Sequence, residues 1–206
     1  MERFFFDRLK RIQALSEIGL EYCNSNYDRE RYEEIQVICF EMLSAMNDIP
    51  VSKIRPVILE QNGYKTPKVD VRAVVFNHEG EILLVQEKVD QRWALPGGWA
   101  DIGYTPRQIA EKECFEEAGL TVKASRLLAV MDKTAQQMPP EFEYVYKLFI
   151  HCEPVGENVS AGEETLDAKW FAEDELPALS TPRNLETQIH LMFSYYRDEI
   201  STVFLD

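Results

Sequence analysis

Glu113, Glu116 and Glu117 stand at i, i+3 and i+4, so a helix running through them carries three carboxylates on one side. Like charges in that arrangement repel one another and draw in a cation. Hard oxygen ligands of this kind suit Mg²⁺ or Mn²⁺, ions that keep part of their water and complete their shell with phosphate oxygens of a substrate. Acidic triplets also occur as ordinary solvated helix faces, and what singles this one out is its setting. A strand-like Trp93-Ala94-Leu95-Pro96 leads into Gly97-Gly98, where missing side chains let a ligand approach the backbone.

The helix itself is marked at both ends. Thr105 is a good N-cap, Pro106 fits the first helical position, and Gln108 completes a capping box. Gly119 suits the left-handed residue just past a helix end. The spacing therefore predicts a helix over Pro106–Ala118, with Ile109, Ala110 and Cys114 turned toward packing and the glutamates elsewhere.

This combination resembles the Nudix box, G-x5-E-x7-R-E-U-x-E-E-x-G-U with U aliphatic, counted from Gly98. Lys112-Glu113-Cys114-Phe115-Glu116-Glu117-Ala118-Gly119-Leu120 matches its second half. Two positions depart: Tyr104 stands where the family has glutamate, and Lys112 where it has arginine. In the family those two residues pair and brace the loop against the helix. Lys112 keeps the positive charge beside Glu113 without the fork of arginine, and Cys114 acts as a small hydrophobe in an aliphatic slot. Leu-Pro-Gly-Gly before the box, and Lys169-Trp170-Phe171 followed by Glu175-Leu176-Pro177 after it, extend the likeness over about residues 68–200. The helical N-terminus followed by Tyr-Lys-Thr-Pro-Lys-Val-Asp-Val-Arg-Ala resembles a subgroup described as ADP-ribose or CDP-choline pyrophosphatases.

The resemblance implies that Glu113, Glu116 and Glu117, with the Gly98 carbonyl, hold one to three Mg²⁺ or Mn²⁺ ions against a diphosphate. It implies hydrolysis of a nucleoside diphosphate linked to another moiety X, releasing a nucleoside monophosphate and phosphorylated X. Lys112 supports the site. The base that deprotonates the attacking water is left open between a box glutamate and Glu163 or Glu164. Trp99, Tyr104, Phe142 and Tyr144 are candidates to stack on the base, and Arg72 and Arg92 to touch phosphate. The polar stretch Lys133–Glu141 is a candidate substrate lip. Two other readings are a sanitising hydrolase for oxidised nucleoside triphosphates, and a non-enzymatic ADP-ribose sensor with a DNA-binding helical module.

These residues need a frame. Val69–Phe76 and Ile82–Val85 flank Asn77-His78-Glu79-Gly80, a hairpin signal. Leu127–Met131, Tyr144–Cys152 and Ala168–Phe171 read as further strands, and Leu185–Tyr196 as a closing helix. Together they predict an α+β sandwich, and the resemblance implies the Nudix α/β/α type with a mixed sheet, in a domain of residues 64–206. Residues 1–63 read as a small all-helical module. Phe5, Leu9, Ile12, Leu15 and Ile18 form one apolar stripe. Tyr32, Ile35, Ile38, Cys39, Met42 and Leu43 form another on a helix capped by Asp28 and running to Met46, and a third short helix follows over Ser52–Glu60. Short amphipathic helices need a partner to bury such stripes, so a homodimer built partly from this module is expected.

Across all 206 residues, 22 basic side chains meet 36 acidic ones, a formal net charge of −14. Such a balance disfavours nucleic-acid backbones and acidic lipid surfaces yet allows a phosphate substrate through a bound cation. Residues 1–63 alone carry eight basic and eleven acidic residues, a poor composition for reading DNA. No apolar run approaches the length of a membrane span. The four scattered cysteines read as reduced, mostly buried thiols of a cytoplasmic protein, and the three dispersed histidines offer no His-based site.

Overall fold

The computed structural model describes all residues except 1, 48, 49, 54–65, 140, 142 and 157. It divides into two compact units: residues 1–67 with 140–143, and residues 68–139 with 144–206.

The first unit is built on α1 (Glu2–Tyr22) and α2 (Asn26–Asn47). Its core is Phe6, Leu9, Cys39, Phe40 and Leu43, with Ile35 and Val51 packed against it. The expected stripes are only partly what is buried. On α1 the inward side is Phe6, Leu9, Lys10, Gln13 and Ser16, whereas Phe5, Ile12 and Leu15 are exposed. On α2, Cys39 and Leu43 are buried but Ile38 and Met42 are exposed. Each helix thus carries apolar surface on two sides, one of which its neighbour covers. Lys10 reaches from α1 to the backbone carbonyls of Glu141 and Glu143, the latter at 2.8 Å, which ties the four-residue segment 140–143 into this unit. The third helix expected over Ser52–Glu60 lies largely outside the described residues.

The second unit holds β1 (Lys68–Val75), β2 (Ile82–Glu87), β3 (Trp93–Ala94), β4 (Gly97–Trp99), α3 (Pro106–Ala118), β5 (Val122–Asp132), β6 (Val145–Pro154), β7 (Thr165–Phe171), a 3₁₀ turn (Glu173–Glu175), α4 (Glu186–Tyr196) and β8 (Phe204–Leu205). A five-stranded mixed sheet runs in the order β4-β1-β6-β5-β8. β1 is parallel to β6 and antiparallel to β4. A three-stranded antiparallel sheet has the order β3-β2-β7.

Side-chain alternation on β1 explains why both faces of the large sheet are buried. Val71, Ala73 and Val75 join Ile109, Ala110, Cys114 and Ala118 of α3 in one core. Val74 faces the opposite way, with Phe149, Ile189, Met192 and Phe193, in a second core under α4. A helix covers each face, which is the α/β/α layering expected.

β1 and β2 do not form the expected hairpin. They belong to different sheets and share only the Phe76–Ile82 bridge. Asn77 Oδ1 accepts the N–H groups of Glu79 (3.0 Å) and Glu81 (2.9 Å), so its side chain closes the turn between the two strands, which beyond the bridge pair with other partners. β4 and β8 are strands that periodicity did not announce, being a Gly-Gly-Trp run and a two-residue stretch. The start of β5 at Val122 also precedes the expected Leu127.

Candidate active site

The capping expected of α3 is present. Thr105 Oγ1 accepts from the Gln108 N–H at 3.3 Å, and Gln108 Oε1 accepts the Thr105 N–H at 2.9 Å. Gly119 terminates the helix in the left-handed conformation, φ 63°. With both ends fixed, the three glutamates occupy graded environments. Glu116 is the most open, Glu113 is mostly covered, and Glu117 is buried at 7% exposure.

Glu117 reaches back to the glycine turn, where its Oε2 accepts the Gly97 N–H at 2.9 Å. Gly97 has φ +153°, and a Cβ there would lie 2.0 Å from the Val71 carbonyl oxygen. Only glycine lets this strand lie so close to β1. A Cβ on Gly98 would approach the Glu113 carboxyl to 3.2 Å, so the missing side chain keeps a gap between the turn and that carboxylate. Burial pushes the Glu117 carboxyl up to about 8, against the opposing pull of the Gly97 N–H and the Arg72 charge. Glu113 is also raised, first by burial. A buried carboxylate pair of this kind gains from a positive charge placed between its members.

Hard carboxylate oxygens facing a side-chain-free turn have the donor chemistry of a divalent-ion site. Among the described residues no three His, Cys, Asp or Glu side chains close into a ready-made cage. The glutamates are graded from open Glu116 to buried Glu117 and do not converge on one point.

Lys112 Nζ stands 2.7 Å from Glu116 Oε2 and 3.6 Å from Glu113 Oε1. Tyr104, at the position of the family's glutamate, is half-exposed. Trp99 is 48% exposed at the end of β4, with Lys68 Nζ 5.3 Å from its ring centre. The loop bearing Glu163 and Glu164 is held against the end of α3. Gly162 N–H donates to the Glu117 carbonyl at 3.1 Å, and Thr165 Oγ1 donates to the same oxygen at 2.7 Å. Both glutamates of that loop are exposed.

Two expectations change. Arg72 does not line an open surface for phosphate. It is buried, its Nε donates to Asp70 Oδ2 at 3.1 Å, its Nη2 lies 2.9 Å from Asp70 Oδ1, and its Nη1 donates to the Leu95 carbonyl at 3.1 Å. The stretch 133–141 is not a wholly open lip either, since Met138 is fully buried beside Gln188. Phe142 lies outside the described residues.

Sequence reasoning missed several polar groups beside the glutamates. Lys147, fully buried on β6, pairs with Asp70. Burial and the neighbouring Arg72 bring its amine down to about 7. Glu87, buried at the end of β2, pairs with Arg183, and burial raises its carboxyl. Asn184, fully buried, holds the Leu95 N–H at 2.9 Å. The alternation of Asp70 and Arg72 with valines in β1, and the place of Lys147 on the same strand face as Val145 and Phe149, were the available signals for the first group. Nothing in the local sequence marks Glu87, Arg183 or Asn184.

A family model described as the NUDIX domain matches residues 66–191, and one described as a UDP-X-like, N-terminal oligomerisation domain matches residues 5–58. The Bacillus subtilis (strain 168) protein named "Putative ADP-ribose pyrophosphatase YjhB" is 40% identical over 94% of this chain and 92% of its own length. The crystal structure of an ADP-ribose pyrophosphatase from Streptococcus suis 89-1591 shares 37% identity, covering 68% of this chain and all of that one, with TM-score 0.61. A UDP-X diphosphatase crystal structure shares 33% identity over 100% of this chain and 99% of its own, with TM-score 0.63. The glycine turn, the capped helix with its glutamates and the matched families make this chain a member of the Nudix hydrolase family, an enzyme of the pyrophosphohydrolase class.

Proposed function

We propose that this enzyme hydrolyses the pyrophosphate bond of a nucleoside diphosphate linked to a second moiety, with ADP-ribose, CDP-alcohols and UDP-linked compounds as the substrate class. The observation that carries the reading is the buried Glu117 carboxylate drawn onto the Gly97 N–H, with Glu113 against the Gly98 backbone. The names of the full-length relatives support the choice of diphosphate over triphosphate substrates.

Nudix hydrolases generally use divalent metal ions. Here Mg²⁺ or Mn²⁺ would be held by Glu113, Glu116, Glu117 and the Gly98 carbonyl, with Lys112 orienting Glu116 and Glu113. When bound, the ion supplies Lewis acidity to the diphosphate and to the attacking water. The residues of the chain do the rest. A box glutamate or Glu164 takes the proton from the water that attacks phosphorus, and the bridging oxygen leaves with the other phosphoryl group. The products are a nucleoside monophosphate and a phosphorylated X group. Trp99, with Tyr104 as a further candidate, offers a ring to the base.

The exposed Phe5, Ile12 and Leu15 of α1 and Ile38 and Met42 of α2 support a homodimer formed through the first unit. No helix of the described residues is long and apolar enough to cross a membrane. We read the four free cysteines as those of a cytoplasmic enzyme that binds no nucleic acid.

The test is phosphate release, coupled to a phosphatase, from ADP-ribose, CDP-choline, UDP-glucose and 8-oxo-dGTP with Mg²⁺ and with Mn²⁺. Turnover of one or more of the first three well above 8-oxo-dGTP is expected. Preference for the oxidised triphosphate would replace this reading with the sanitising one.

A further inference from the structure

Leu95 enters the Pro96-Gly97-Gly98 turn, and side chains from two distant elements hold both ends of its backbone. Its N–H donates to Asn184 Oδ1 at 2.9 Å, and its carbonyl accepts from Arg72 Nη1 at 3.1 Å. Both side chains are buried. Arg72 is in turn fixed by Asp70 through Nε and Nη2, while Lys147 takes Asp70 from β6, where the register sets Asp70 beside Lys147. The same register logic places Arg72 beside Gly97 across the β1–β4 pair. Two residues after Leu95, the Gly97 N–H holds Glu117.

An interior arginine sharing one aspartate with an interior lysine is an expensive way to fill space, because hydrophobic residues of similar volume often serve stability as well or better. What such residues would not supply is a directed donor on the Leu95 carbonyl. The brace that the family makes between positions 104 and 112 is not made here, since Tyr104 is half-exposed and Lys112 engages Glu116 and Glu113.

We infer that Arg72 and Asn184 are positioning residues that clamp Leu95 from both sides, so that the Gly97-Gly98 turn stays in register with Glu113 and Glu117. Asp70 and Lys147 orient the Arg72 arm of the clamp. Bracing of the glycine turn has moved from the loop–helix pair to the strand beneath it. The inference rests on the proposed metal site and adds the device that holds it.

The test uses the full-length protein, with Mn²⁺ binding followed by electron paramagnetic resonance of the free ion in the absence of substrate, alongside kcat and KM. Arg72→Met and Asn184→Leu are each expected to weaken Mn²⁺ binding about tenfold or more and to lower kcat, with KM little changed. Asn184→Asp keeps an acceptor for the Leu95 N–H and is expected to recover most of the Mn²⁺ affinity. Arg72→Lys cannot span Asp70 and Leu95 together and is expected to fall between wild type and Arg72→Met. Cys152→Ala, a fully buried truncation on β6, serves as the control, lowering Tm without changing Mn²⁺ affinity. If Arg72→Met and Asn184→Leu behave like that control, the clamp is structural only and the inference is overturned. If wild type fails to bind Mn²⁺ and Glu117→Gln keeps its turnover, it is the metal-site reading that fails.

Discussion

Lys112 and Glu116 stand one helical turn apart on α3 with Nζ 2.7 Å from Oε2, so the closest partner of the lysine lies along the helix. Its strongest contact is with the most open of the three glutamates. Ion pairs in that setting contribute little, so Lys112→Ala is expected to lower kcat by roughly two- to fivefold. Steady-state kinetics check this, and a deeper fall would give Lys112 a direct role at the phosphate.

Glu117→Gln keeps the size of the side chain, and its amide oxygen can still accept the Gly97 N–H. The fold is therefore expected to persist by circular dichroism. Loss of the charge is expected to reduce kcat by on the order of 10²–10³-fold. Unchanged turnover would remove Glu117 from the ligand set.

Metal-free protein should reveal the same carboxylate through stability. The Glu117 pKa is about 8 in the fold against an ordinary value of 4.5. Between those values the folded state holds a proton that the unfolded chain has released, so this group makes stability fall as pH rises from about 4.5 to about 8. In EDTA, the Tm of Glu117→Gln relative to wild type is expected to rise across that window. Adding Mg²⁺ to wild type should restore more Tm at pH 8 than at pH 5. A Tm difference independent of pH would contradict the burial of an uncompensated charge.

Trp99 presents its ring beside the glycine turn with Lys68 over its face. Removing a stacking platform typically costs about 1–3 kcal/mol per base. Trp99→Ala is expected to raise KM about tenfold or more with kcat within about threefold. A loss confined to kcat would point to support of the turn and away from base recognition.

Leu15 and Ile38 are about half exposed on the first unit. The double substitution Leu15→Glu with Ile38→Glu is expected to convert a dimer to a monomer in sedimentation velocity, with the helical signal retained. An unaltered sedimentation coefficient would move the interface elsewhere.

Helix α3 was fully legible because every determinant of it is local: a cap, a proline, a terminal glycine and a carboxylate spacing all lie within fifteen residues. Strand and helix periodicity gave an α+β sandwich for the second unit, and the Nudix resemblance supplied its α/β/α layering. The pairing of β1 was not legible, since its partners β4 and β6 are set by the path of the whole sheet and not by the turn that follows β1. Arg72 illustrates the limit at the site. Its type suggested phosphate, but its surroundings are set by Asp70 two residues away, Lys147 on another strand and Leu95 in a turn. The α1 stripe failed for a related reason. Periodicity finds an apolar face without saying whether the neighbouring helix or another molecule covers it, and the interior side of α1 contains Lys10, Gln13 and Ser16.

The contact between Lys10 and the carbonyls of Glu141 and Glu143 spans more than 130 positions of the chain. During synthesis the two N-terminal helices emerge early, but their acceptors at 141 and 143 leave the ribosome only after β5 has been made. The helical bundle can therefore be completed only late, by a short stretch lent from between two strands of the catalytic half. Excising the leader helices would strand that loan, so a shortened enzyme would be altered at a loop that the cut never touched.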